Sequence, residues 1–237
     1  MKEIVEFVNK RVEEQHQNPF MQWLDNESIP PKVRLSKWLL GAGFFVLGFK
    51  DLNTMILGYP QSEAATDPIK KAINAHTEED STHWGWYLND IQQLGLDKQM
   101  KFTDSVRFLW GEPLKKQRLA TYRICQLAEK SKDPILRYCL IKSVEGFGEF
   151  IFGKMAKISA EFAKESGIEL EYLGETHSIK ESGGLASQPD ETEDMILDME
   201  LDKKTRELGL DIAKETCDLI EGRWIEFYEY VTQHLDG

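Results

Sequence analysis

The chain is short of several residue types, and each shortage closes off a class of function. Its 237 residues include three cysteines (Cys125, Cys139, Cys217), too few and too scattered for a disulfide framework or a CxxC metal site. They read as reduced thiols, which fits a cytoplasmic protein. Basic residues are outnumbered, 29 Lys and Arg against 41 Asp and Glu, leaving a net charge of −12. That balance argues against nucleic-acid wrapping, which needs a basic face, and against docking on an anionic membrane. Long apolar runs are also missing. The longest, residues 38–49, contains three glycines and falls short of the roughly 20 residues a bilayer span needs, so it reads as a buried helix. At the N-terminus Ile4, Val5, Phe7, Val8 and Val12 alternate with charged residues in an amphipathic pattern unlike a signal peptide.

What is present is enough to fold. Apolar residues make up 41% of the chain and aromatic residues 11%, too many for a disordered polymer. Helical periodicity dominates, and no stretch alternates as a strand would. A helix over residues 2–17 is broken by Asn18-Pro19. A second covers 32–57 with an interruption near 48–51, and Gly58-Tyr59-Pro60 closes it. Asp67-Pro68 is a cap followed by proline at the first helical position, opening a helix that the pattern carries to 94, where Gly95 stops it. Segments at 102–109 and 112–131 follow. Asp133-Pro134 repeats the start signal and opens a long helix that ends before Gly167; another helix is expected over 169–181. Residues 182–189 read as a loop, and a final helical region is expected from Asp190 to about 234, with Gly209 as a candidate kink. Nothing separates domains, so residues 1–237 read as one all-α domain.

Histidine is rare, five residues in all, and three of the five sit in suggestive places. His76, Asp80 and His83 are spaced i, i+4, i+7, one face of a helix over two turns. The apolar stripe of that helix (Ile69, Ile73, Tyr87, Ile91, Leu94) runs through them. Burying two imidazoles and a carboxylate costs several kcal/mol unless they are paired or bound to metal. Core histidines satisfied by Asp80 and metal ligation are both compatible with this spacing, and Glu79 flanks the stripe. In the long helix Glu145 and Glu149 are the only charges between Ser143 and Gly153, surrounded by Gly146, Gly148 and Gly153. Interior glycines cost roughly 1 kcal/mol each, which implies close approach by a ligand or by a crossing helix. His177 and Glu181 form a further i, i+4 pair. His16 and His234 lie near helix ends.

Helical order together with histidine–carboxylate pairs on three separate helices resembles the heme-oxygenase-like superfamily, and within it the dimetal oxidases and oxygenases. In that family one helix supplies a carboxylate and a histidine seven residues apart, a second a glutamate, and a third His-x3-Asp/Glu-x2-His. Here His76 and His83 are seven apart, with His76 where a carboxylate is usual. Glu145 follows, then His177 thirty-two residues later and Glu181 at the third helix's carboxylate position. Gly184 stands where that motif's last histidine belongs. The phrase QHQNPFMQWL (residues 15–24) is also similar to the first helix of the superfamily.

The resemblance implies a bundle of about seven helices in a single domain, compatible with a homodimer. It implies a metal site built from His76, Asp80, His83, Glu145, His177 and Glu181, with Glu149 as a reserve or outer partner. Imidazole and carboxylate ligands suit one or two iron ions, and would also take manganese or zinc. The partners would be dioxygen and a small organic substrate. Two other readings belong on the same fold: a binding protein with a degenerate metal site, and a thiaminase-II-like hydrolase using Cys139 as nucleophile. Heme binding would need an axial histidine near the N-terminus, for which only His16 qualifies.

Overall fold

The computed structural model describes residues 1–181 and 190–233. Among them there is no strand, and the chain forms twelve α-helical segments, eleven of them longer than a single turn. The all-α class is therefore as expected, with more helices than seven. In order they are α1 (Lys2–Glu14), α2 (Pro19–Leu24), α3 (Pro31–Leu52), the single turn α4 (Gln61–Ala64), α5 (Pro68–Asp80), α6 (Trp84–Gln93), α7 (Phe102–Trp110), α8 (Lys115–Lys130), α9 (Pro134–Ser166), α10 (Glu175–Glu181), α11 (Asp190–Leu197) and α12 (Lys203–Gln233).

Three helices start by the same device. Asn18 Oδ1 accepts the Phe20 amide at 3.0 Å, Asp67 Oδ1 accepts those of Ile69 and Lys70 at 2.9 and 3.2 Å, and Asp133 Oδ1 accepts that of Ile135 at 2.8 Å. In each case a proline, which lacks an amide hydrogen to satisfy, occupies the first helical position. The long helix α9 stops at Gly167, whose φ of 72° is open to glycine at little cost.

Helix α9 is the axis of the bundle, with α1, α3, α5, α8, α10 and α12 packed around it. Its buried face runs from Ile135 through Tyr138, Leu140, Phe147, Ile151 and Met155 to Phe162. Phe20, Trp38 and Phe227 cluster where α2, α3 and α12 meet, with ring centroids 5.4–5.7 Å apart. Buried arginines fasten irregular segments to this core. Arg34 donates to the carbonyls of Ile29 and Leu24 at 2.9 and 3.0 Å and pairs with Glu161. Arg137 donates to those of Ser131 and Leu57 at 2.8 and 2.6 Å.

Helix α3 differs from expectation in running on without an interruption near residues 48–51. It passes into a looser π turn over Asn53–Leu57, where Asn53 Nδ2 and Thr54 Oγ1 donate to the Phe49 and Lys50 carbonyls at 3.1 and 3.0 Å. The continuous helix Pro31–Leu57, 27 residues long, is by length and composition able to cross a membrane, which the apolar run alone was not. Its Leu35, Trp38, Leu39, Ala42, Val46 and Leu52 are buried against the bundle, while 39% of its most apolar stretch as a whole is buried.

The glycines of α9 and α12 divide by role. A Cβ on Gly146 would meet Val8 and Val12 at 3.3 and 3.4 Å, so this glycine serves the crossing of α1 over α9. Gly209 lies inside the continuous helix α12; a Cβ there would sit 2.6 Å from Ile4 Cδ1 and 3.1 Å from Cys139 Sγ. Gly209→Leu is expected to lower the unfolding free energy by about 1–3 kcal/mol through overpacking. Gly153 has nothing within 4 Å of a built Cβ, so Gly153→Ala should raise it by up to about 1 kcal/mol. Urea unfolding of both variants checks the pair, and equal stability would show that α1, α9 and α12 do not meet this closely.

Candidate metal centre

Helix α5 ends at Asp80 instead of continuing to residue 94. Glu78, Glu79 and Asp80 place three carboxylates at the end where the helix dipole is negative. The hydroxyls of Ser81 and Thr82 then turn back to the Glu78 and Glu79 carbonyls at 2.8 and 2.9 Å, competing with the backbone ladder. The chain makes a turn over residues 81–83 and restarts as α6. His76 and Asp80 thus share the inner face of α5 with Ile69, Ala72 and Ile73. His83, expected two helical turns from His76, is brought inward by the turn.

Glu145 comes from the middle of α9. His76 Nε2 lies 3.2 Å from Asp80 Oδ2 and 3.6 Å from Glu145 Oε1, and Asp80 Oδ1 lies 3.7 Å from His83 Nδ1. One donor atom each from His76, Asp80 and Glu145 fall within 4.8 Å of one another, all three residues being buried. Ligands around one ion at about 2.1 Å stand roughly 3–4 Å apart, so this trio can hold a metal after small side-chain adjustments.

His177 reaches the cluster from the other side, on α10. Residues 169–174, expected to be helical, are irregular. Asp90 of α6 is the reason: its carboxylate accepts the amides of Glu171 and Leu173 at 2.8 and 2.7 Å, donors a helix would have used internally. His177 Nδ1 lies 2.9 Å from the Tyr172 carbonyl. A carbonyl only accepts, so Nδ1 is the protonated nitrogen in this contact, which fixes the orientation of the ring. The His177 ring centroid is 4.6 Å from that of His83, 3.8 Å from that of Phe152 and 4.7 Å from that of Tyr172. His83 in turn stacks on Trp86 at 4.6 Å.

The cluster opens onto a cavity of about 100 Å³, measured as space open to the centres of water-sized molecules. Asp80, His83, Glu145 and His177 contribute to its wall, the rest being largely aromatic. Gly148 lines it too, so this glycine keeps the axis helix open to the cavity where Gly146 keeps it open to α1.

Other candidates fall elsewhere. Glu149 is exposed and does not line the cavity, although it stands one helical turn beyond Glu145 on α9. Glu79 is half-buried and outside the compact trio. His16 is exposed beside Phe150, so the histidine singled out for heme offers no buried axial position. Cys139 is fully buried, does not line the cavity, and its thiol is pushed up by burial to about 12, the opposite of an activated nucleophile. Glu181 closes α10, but its side chain, like Gly184 and His234, lies outside the described residues. The sequence reading passed over Asp90, Tyr172, Trp86 and Arg223. Arg223 carried a usable signal, a cation inside the apolar stripe Ile220, Trp224, Phe227 of α12. No protein-family model matches the chain, and no curated protein matches it.

Burial raises the Asp90 carboxyl from its ordinary 3.8 to about 6, against the opposing pull of the amides it accepts. The folded chain therefore takes up this proton at higher pH than the unfolded one. The stability it contributes is full below about pH 4 and is lost as pH rises through about 6. Between pH 4 and 7 the wild type should lose on the order of 2 kcal/mol more unfolding free energy than Asp90→Asn. Parallel urea curves for the two proteins would show that the shift is absent.

Proposed function

We propose that this chain is a metal-dependent oxidase or oxygenase of the heme-oxygenase-like group, using iron, one ion or two, and dioxygen to oxidise a small organic substrate. The observation that carries the reading is the buried cluster of His76, Asp80 and Glu145, from two helices, opening onto a cavity with largely aromatic walls. Manganese would suit the same donors. His76, Asp80 and Glu145 would hold the first ion. His83 and His177, on the cavity side, would complete it or hold a second. Bound iron would supply the electrons that activate dioxygen.

The chain's own part is positioning and exclusion. Asp80 and Glu145 place two negative charges where a cation offsets their mutual repulsion. The Tyr172 carbonyl fixes the orientation of the His177 ring. The walls formed by Phe45, Phe147, Phe152, Trp224 and Phe227 keep water scarce, which strengthens electrostatic interactions and shields reactive species from side reactions. A substrate lying against Gly148 would reach the axis helix beside Glu145, three residues away.

Anaerobic iron titration followed by oxygen exposure tests the reading. Wild-type protein should bind at least one equivalent of iron and consume oxygen. His76→Ala and Glu145→Ala should each fall well below one equivalent, while His16→Ala binds as wild type. Full stoichiometry in both cluster variants, with folding checked by circular dichroism, would remove the assignment.

A further inference from the structure

Four arginines are buried among the described residues: Arg34, Arg118, Arg137 and Arg223. The first three use terminal guanidinium nitrogens on the protein itself. Arg34 donates to Leu24 and pairs with Glu161, Arg137 donates to Leu57, and Arg118 donates to the Leu109 and Gly111 carbonyls at 2.8 Å each. Arg223 does otherwise. Its Nε donates to Gln117 Oε1 at 2.8 Å, and its guanidinium carbon lies 3.2 Å from the centroid of the Phe45 ring. Its two terminal nitrogens hydrogen-bond to no described residue, and no carboxylate of the described residues comes within salt-bridge distance. Those nitrogens are not among the sealed, unsatisfied polar atoms of the structure, so they meet open space. The space beside them is the cavity, whose wall Arg223 forms although it is only 7% exposed.

The nearest acid by sequence is committed elsewhere. Glu226 accepts the backbone amides of Lys116 and Gln117 at 2.6 and 3.0 Å and so caps α8; its charge and the Tyr172 phenol offset only part of what burial takes from the Arg223 cation. Gln117 is held in turn, its Nε2 donating to the Arg223 carbonyl at 3.0 Å. Stacking on Phe45 and the bond to Gln117 therefore fix the plane of the guanidinium and leave its outer edge free. Burial pulls Arg223 down from 12.5 to about 9, so its surroundings disfavour the cation, and an anion beside it would restore what burial removes.

We propose that Arg223 anchors the carboxylate of an apolar monocarboxylic acid, whose hydrocarbon body lies along the aromatic walls of the cavity that holds Glu145, His83 and His177. A planar guanidinium edge with two free donors matches a carboxylate in a bidentate pair, and a desolvated charge-assisted pair is among the stronger polar contacts. The proposal goes beyond the metal reading and does not depend on it, since Arg223 is no part of the histidine–carboxylate cluster.

The test uses full-length protein stripped of metal with chelator, so that its outcome is independent of iron. Binding of 3-phenylpropionate and of octanoate is followed by calorimetry and by tryptophan fluorescence, Trp38, Trp84 and Trp224 all lining the cavity. The two acids separate an aromatic from an aliphatic body. Each is compared with its neutral amide. At least one acid should bind wild type about tenfold or more tighter than its amide, and Arg223→Gln should abolish that preference while leaving amide binding unchanged. Should Arg223→Gln fail to fold, Ala42→Phe, which fills the cavity, should remove binding of acid and amide together. Equal binding of acid and amide by wild type, or an acid preference retained in Arg223→Gln, overturns the proposal; so does acid binding that survives Ala42→Phe.

Discussion

Asp80 and Glu145 bring two carboxylates to the same imidazole inside a shell of apolar side chains, and much of the surrounding architecture answers to that arrangement. Charged oxygens are expensive to bury and repel one another at this separation. Holding them within reach of His76 requires rigid supports on both sides. One is α5, anchored at its start by Asp67 and ended just after Asp80 by its own hydroxyl-bearing residues. The other is the axis helix α9, fixed by packing along its whole length.

How much of this was legible depended on whether a local or a tertiary rule applied. The start signals at Asn18, Asp67 and Asp133 are local chemistry, a short acceptor followed by proline, and they behave as their residues dictate. His76, Asp80 and Glu145 could be singled out because polar groups in an apolar stripe violate the helical pattern. The same reasoning placed His83 inward on a false premise: the helix breaks after Asp80, and a turn carries that ring to the cavity. The breakers were visible, an acidic run at a helix end followed by Ser81 and Thr82, but the apolar period on either side outweighed them.

The remaining features depend on contacts between parts of the chain far apart in sequence. The irregular stretch over residues 168–174 exists because Asp90, on another helix, takes its amides. Gly146 and Gly148 look alike in the sequence; only the placement of α1 shows that one admits a neighbouring helix and the other faces an open space. Arg223 stands inside the apolar stripe of α12, but what it does there shows only once Gln117 and Phe45 are placed beside it.

The trio draws its donors from α5 and α9, helices that meet only in the folded chain. Whatever cation settles there would be a clasp between two separately rooted supports, and its affinity and the cohesion of the bundle become one quantity measured from two sides. A chain deprived of its ion would then be looser at its centre, where Asp80 faces Glu145, and its periphery would feel the loss last.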